Sequence, residues 1–217
     1  GECLLTADTI VIANAVDALQ FEQTATLPLK PIRGQVTSLP SNPISAKLKT
    51  VICHEGYITP ALNGEHNIGA TFDNGDKHTD LRSADHQKNV ASLQRAMPDV
   101  FPKLIAHDEL IGRASLRCAS PDYLPLVGPV GIRDEFAKQY VALSKNSLLN
   151  INQTGSYYPN LYINVGHGSR GITSTPLCAE LLASSACNEP PPLARDLVKA
   201  LNPARFILRD IIRNKYQ

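Results

Sequence analysis

Apolar residues recur along the chain in short runs separated by polar turns. The pattern predicts strands at residues 9–13, 32–39, 50–53, 56–60, 67–71 and 161–165, each rich in apolar or β-branched side chains. The period changes over residues 83–97, where Val90, Leu93 and Met97 recur at helical spacing and Pro98 supplies the stop. A second covering helix is expected between residues 135 and 144, after residues 107–130 return to extended structure with Ile111, Leu116 and Leu126 entering a core. At the C-terminus, NPARFILRDIIRNK reads as an amphipathic helix with Asn202 as cap, Pro203 in the first turn and Ile207, Leu208, Ile211 and Ile212 on the packing side. Strands and helices do not alternate regularly, so the expected class is α+β, with a mixed or antiparallel sheet and covering helices.

A run that ends in glycines breaks this pattern. In LYINVGHGSRGITSTPLCAELLA, an apolar strand passes through Gly166, Gly168 and Gly171 into a stretch where Leu177, Leu181 and Leu182 repeat at helical spacing. Two readings stay open. The glycines satisfy turn geometry, or they let an electron-rich ligand approach free N–H groups at a helix start. Thr175 and Pro176 offer an alternative helix start.

Composition narrows the class. The chain has 217 residues and 43% hydrophobic content, enough for a sizeable core, and 13 glycines and 16 prolines without a repeat period. Net charge is +1, but residues 195–217 alone carry +4, so any polyanion contact is expected to be local. Five cysteines form no CxxC pair and six histidines form no HExxH, so buried thiols and no metal site are expected. Neither a secretory leader nor an apolar run near the roughly 20 residues needed to cross a bilayer is present, so a cytoplasmic protein without membrane contact is expected. GxGxxG is absent and the chain opens abruptly on GECLLTADTIVIANA, as expected of a piece of a larger sheet.

In order, VIANAVD, LKPIRGQVTSL, YITPALNGEHNIGATFDNG, GRASLRCASPDYLPLVG and YINVGHGSRGITSTPLCAELL resemble the C-terminal part of FAD-dependent amine oxidoreductases of the D-amino-acid-oxidase type. RCASPDYLPLVG, HGSRGITSTPLCAE and LNPARFILRDIIRNK are similar, more closely, to the bifunctional enzymes of tRNA 5-methylaminomethyl-2-thiouridine biosynthesis. The resemblance runs through nearly the entire chain. It implies C-terminal pieces of an incomplete FAD-binding α/β domain at residues 1–29 and 131–192, a substrate-binding sheet domain with its covering helix at 30–130, and a basic C-terminal helix segment at 193–217.

The activity so implied removes the carboxymethyl group from 5-carboxymethylaminomethyl-(2-thio)uridine at the tRNA wobble position, leaving the aminomethyl form. Hydride passes to FAD, and water then hydrolyses the imine to release glyoxylate. A separate N-terminal module, missing here, would methylate the product with S-adenosyl-L-methionine. The implied partners are tRNA and the missing N-terminal modules. By the same resemblance Gly166, His167, Gly168, Ser169, Arg170, Gly171 and Ile172 lie near the flavin ring, and Arg33 and Gly34 approach the flavin and cleft. Arg117 and Arg170 match the two arginines expected near substrate, where a planar guanidinium pairs with a carboxylate. Each arginine has an alternative role in a structural ion pair, as Arg113 does at a strand edge; Tyr123 either covers an apolar ring or packs. Other functions left open are a glycine- or D-amino-acid-oxidase-like fragment acting on small amines, and a non-catalytic RNA-interaction fragment.

A chain without the dinucleotide fingerprint lacks the usual helix-terminus cradle for the pyrophosphate. The isolated 217 residues are therefore expected to retain FAD weakly or not at all. Flavin absorbance after purification, followed by titration, checks this; stoichiometric, tightly held FAD in the monomer would overturn it.

Overall fold

The computed structural model describes residues 3, 5–101 and 110–215. Residues 107–109 of the expected extended run and residues 216–217 of the basic segment lie outside the described residues. In chain order the elements are β1 (Ile10–Ile12), β2 (Lys30–Pro40), β3 (Ile52–Cys53), β4 (Tyr57–Ile58), β5 (Glu65–Gly69), β6 (Asp73–Asn74), α1 (Ser83–Ala96), β7 (Gly112–Ala119), β8 (Leu126–Gly131), α2 (Arg133–Tyr140), β9 (Tyr157–Val165), α3 (Gly171–Ala186), α4 (Arg195–Leu201) and α5 (Arg205–Ile212). They divide into two compact units, one of Gly1–Lys30 with Arg117–Gln217 and the other of Pro31–Leu116. Residues 117–130, expected with the sheet domain, group instead with the first unit, because β8 pairs with β9 there.

The first unit is built on a three-stranded sheet in the order β1-β9-β8, with β1 parallel and β8 antiparallel to β9. Its strands are apolar on both faces. Ile12, Leu126, Val130, Ile163 and Val165 share one cluster, whereas Val127 packs with Cys178, Leu181 and Leu182 of α3. Alternation along a strand sends neighbouring residues to opposite faces, so a sheet covered on both sides needs such continuous apolar runs.

The expected C-terminal helix is present as α5, with α4 before it. The helix begins at Arg205 with Ala204 as its N-cap and no side-chain cap, not at the expected Asn202, whose Oδ1 accepts the Ala204 N–H at 2.9 Å in the turn before it. Phe206, Ile207 and Ile211 are buried; Ile207 and Ile211 join Phe136 of α2 in one cluster. Arg205 is drawn into the fold as well: its Nε and Nη2 donate to the two carboxylate oxygens of Asp122, each at 3.0 Å, and Nη2 also donates to Leu124 O.

In the second unit the strand order is β3-β4-β5-β2-β6, with β7 also pairing β2. The two-residue β6 is a strand that the apolar pattern does not predict, since Asp73 and Asn74 favour turns over strands. The apolar core joins Leu39, Ile58 and Ile68 of the sheet to Val90 and Leu93 of α1. Toward the other end of β2 the buried residues are polar: Arg33, Gln35 and Thr37 alternate inward and are fully buried, with Asp85, His86 and Asn89 of α1 also buried.

The Arg33 guanidinium organises this polar half. It donates to Asp85 Oδ2 at 2.5 Å, Gln35 Oε1 at 3.0 Å, Asp80 O at 2.7 Å and His78 O at 2.8 Å. Gln35 carries the network on, accepting the Arg82 N–H and donating to Arg82 O. Asn89 Nδ2 donates to Gln35 O and Thr37 Oγ1. Arg33, Gln35 and Asn89 thus each find partners inside the unit.

Two stability measurements follow. Removing one member of a buried ion pair strands the other, so Arg33→Ala is expected to cost about 3–5 kcal/mol in urea unfolding of the second unit. Arg33→Lys should not restore the loss, because an ammonium lacks the planar fork of donors; an unchanged midpoint for either variant would refute the assignment.

The second measurement concerns Asp122. Burial pushes its carboxyl pKa up, but hydrogen bonds from Arg205 and Ser120, the Arg205 charge and the Leu124 N–H outweigh it and hold the group at about 2. Because the folded value lies below the unfolded one, the stabilisation is complete above about pH 4 and is lost as pH falls from there toward about 2. Arg205→Gln should therefore destabilise the parent by on the order of 1–2 kcal/mol near neutrality and by less in acid; a difference that does not change with pH would show that the pair contributes no linkage.

Candidate functional site

The glycine-rich stretch lies in the first unit, between the last residue of β9 and the first of α3. Gly166 has φ +80°, and a Cβ there would also approach the Leu126 side chain at 3.0 Å, so both backbone and space select glycine. Gly168, at φ +58°, donates its N–H to Cys118 O at 2.7 Å, and His167 forms an antiparallel bridge with Ala119. Those bonds tie the loop to the end of β7. They bring Arg117, adjacent to Cys118, into the same neighbourhood as Ser169 and Arg170.

The helix starts at Gly171 rather than at Thr175, which leaves Pro176 inside it. Arg170 is its N-cap, without a side-chain hydrogen bond to the helix N–H groups. Among the described residues no acceptor faces the N–H groups of Ser169, Gly171 and Ile172, and the Ile172 side chain is 98% exposed. An uncapped helix start carries partial positive charge and unsatisfied donors, and so suits an electron-rich group laid against it. An exposed isoleucine beside it offers apolar contact to a flat ring. The backbone N–H groups of Ser169, Gly171 and Ile172 could therefore hold the polar edge of a planar, electron-rich group such as the FAD ring.

His167 fixes this loop from within. Its Nε2 lies 2.9 Å from Asn164 Oδ1 and its Nδ1 2.9 Å from Ser174 Oγ, which in turn lies 3.0 Å from Arg170 O. Burial pushes the imidazole pKa down, which favours the neutral ring. With Nε2–H donating to Asn164 and Nδ1 facing Ser174, neither nitrogen is open for proton transfer to a ligand. Asn164 and Ser174 were not singled out in the sequence, where a serine at helical distance from a loop histidine carries no distinguishing signal.

The other expected site residues occupy different settings. Arg170 is exposed and Arg117 half-buried, while Arg113 is exposed. Arg33 lies in the second unit with its donors taken by protein groups, and Gly34 beside it is buried within the continuous strand β2. Tyr123 is 60% exposed with φ +59°, an uncommon conformation for a large residue, in the turn anchored by Asp122. Cys118 and Cys178 are buried, which pushes both thiol pKa values up and keeps them unreactive. Among the described residues no group of His, Cys, Asp and Glu side chains could hold a metal ion, and no helix is long and apolar enough to cross a membrane.

The chain is 47% identical over 211 residues to the tRNA 5-methylaminomethyl-2-thiouridine biosynthesis bifunctional protein MnmC of Pseudomonas syringae pv. tomato, covering 95% of this chain and 32% of that protein. The protein of the same name from Chromobacterium violaceum is 44% identical over 214 residues, covering 98% and 32%. The chain thus spans about a third of the length of the curated relatives it matches.

Among solved structures, glycine oxidase from Geobacillus kaustophilus superposes with a TM-score of 0.63 at 20% identity, covering 92% of this chain and 46% of that one. Fructosamine oxidase (Amadoriase II) from Aspergillus fumigatus does so at 0.61 and 12%, covering 95% and 48%. These likenesses establish the fold. Residues 1–185 match the family described as FAD dependent oxidoreductase (DAO), and on that match, which takes in the loop and most of α3, the chain belongs to this family.

Proposed function

We propose that the chain is the flavin-ring and substrate-arm portion of an FAD-dependent oxidoreductase acting on tRNA. The reaction converts 5-carboxymethylaminomethyl-(2-thio)uridine at the wobble position to the 5-aminomethyl form, in a parent protein that also methylates the product from S-adenosyl-L-methionine. The observation that carries this reading is the uncapped start of α3, with unpartnered N–H groups at Ser169, Gly171 and Ile172 beside Arg170. The name of the relatives supports tRNA as the substrate.

In this reading Gly166–Ile172 holds the flavin ring, and FAD when bound accepts hydride from the carbon beside the substrate nitrogen. Arg117 and Arg170 pair with the carboxylate of the carboxymethyl arm, fixing that carbon for reaction. His167 transfers no proton; with Asn164 and Ser174 it holds the loop. Arg33 and Gly34 contribute by setting the course of β2, since the guanidinium is already satisfied.

For tRNA docking the three C-terminal arginines are unequal. Arg205 is bound to Asp122 and Arg209 lies over the Phe206 ring at 4.4 Å, whereas Arg213 and Lys215 are exposed. These last two are the phosphate contacts of the proposal. A free small amine is the competing substrate, and the shared fold with glycine oxidase is the observation in its favour.

The test is made after reconstitution with the N-terminal modules the proposal requires. Arg117→Ala and Arg170→Ala are each expected to slow carboxymethyl removal by about 100-fold while methylation of aminomethylated tRNA persists. Equal loss of both reactions with unfolding would sink the clamp, and turnover of free glycine as efficient as that of tRNA would favour the competing substrate. Arg213→Gln with Lys215→Gln should weaken tRNA binding and lower its salt slope by about 1–2. An unchanged slope would leave this helix a packing element.

A further inference from the structure

Residues 120–125 join β7 to β8, and both ends of this turn stand against the strand that leads into the glycine-rich loop. Ala119 bridges His167, and Leu126 pairs with Val165. The turn therefore leaves the sheet at the same end as that loop, with Arg117 just before it in the chain.

The turn is held from several sides. The Ser120 hydroxyl donates to Leu124 O at 2.7 Å, and Ser120 O accepts the Tyr123 N–H at 3.2 Å. Asp122 Oδ1 accepts the Leu124 N–H at 3.2 Å, and the carboxylate is gripped in turn by Arg205. Pro121 and Pro125 restrict the backbone on either side.

Tyr123 stands apart from this order. Its hydroxyl has no hydrogen-bond partner among the described residues, and its side chain stays largely in solvent. Of the six non-glycine residues with positive φ among the described residues, four are asparagines, which tolerate that conformation, and Tyr123 is the sole aromatic. An asparagine would fit the turn with less strain, and the tyrosine gains little burial in exchange. Strain of this kind persists where the surroundings over-determine it, as Ser120, Asp122 and Arg205 do here, and it gathers at sites of function.

On the reading that the chain acts on a tRNA uridine, the base must leave its stack before its arm can reach the flavin, and the lost stacking has to be replaced. A phenol ring offers a flat face to an unstacked base. Arg117 and Arg170 answer the carboxylate of the arm, and the ring answers the base to which the arm is attached. Arg205 ties the turn to the first residue of α5, and Arg213 follows about 12 Å farther along that helix. Base and phosphate contacts thus belong to one body. We propose that Tyr123 is the platform on which the unstacked uridine of the tRNA substrate rests, an assignment that depends on the tRNA reading above.

The test compares Tyr123→Asn, which removes the ring, with Tyr123→Phe, which keeps it. In urea unfolding of the 217-residue chain the asparagine variant should have a midpoint no lower than the parent's, since it relieves the turn. After reconstitution with the N-terminal modules, it should lower kcat/KM for tRNA carrying the carboxymethylaminomethyl group by about tenfold or more, with FAD content unchanged, whereas Tyr123→Phe stays within about twofold. Parent-like turnover by Tyr123→Asn would overturn the proposal. So would loss of bound FAD, which would assign the ring to the cofactor, or a clearly lower midpoint, which would make Tyr123 a packing residue. A reconstituted parent that turns over no modified tRNA would instead refute the underlying reading, and this assignment with it.

Discussion

A guanidinium sealed from water presents its N–H donors in fixed, coplanar directions, and every one left without an acceptor is costly. In the second unit this constraint settles several things at once. The chain between β6 and α1 must pass close enough to present the His78 and Asp80 carbonyls to Arg33, and the first turn of α1 must place a carboxylate, Asp85, under it. Gln35 then follows on the same strand face, accepting from Arg33 and from the Arg82 N–H together. The result is a sheet–helix interface graded along its length, polar around Arg33, Gln35 and Asn89 and apolar around Leu39, Ile58 and Leu93. The polar half fixes register through direction, and the apolar half adds burial without direction.

The first unit solves a different problem. A three-stranded sheet is small, and both of its faces are covered, by α3 on one side and by the cluster around Ile163 and Phe206 on the other. The strand β9 is central to both clusters and delivers the chain to the glycine-rich turn. What distinguishes that turn chemically is the mismatch between its two sides. Inward, the Gly168 N–H and both His167 nitrogens are matched; outward, the first N–H groups of α3 are not. Rigid within and unsatisfied outside is the arrangement that electrostatic preorganisation calls for.

Much of this was legible in the chain. The central strands, α1 and α5 follow from apolar period, and the strand–loop–helix course of residues 161–182 from its glycines. Arg33 shows where such reading stops. Period 2 tells which residues share a strand face but not which face is buried, and a lone arginine argues for the solvent side. Its partners stand 45 to 52 residues away in sequence, apart from Gln35, so no local window contains them. Arg205 is a similar case: its spacing with Arg209 and Arg213 suggests one basic stripe, yet Asp122, 83 residues earlier, claims it. The sheet boundary was misplaced for the same reason, since the pairing of β8 with β9 is a long-range choice that residues 117–130 do not reveal locally.

Pro176 sits inside α3 and has no N–H to offer the carbonyl of Ile172, four residues back. The opening turn of the helix is consequently joined to the helix body by one backbone bond fewer than a regular helix would provide. What steadies it is the Ser174 hydroxyl, shared between Arg170 O and His167. Local opening of residues 171–174 therefore demands less free energy than opening of the segment around Leu181 and Leu182, which is buried against the sheet. The opening turn can loosen and re-form as a unit of its own, leaving the rest of the helix seated.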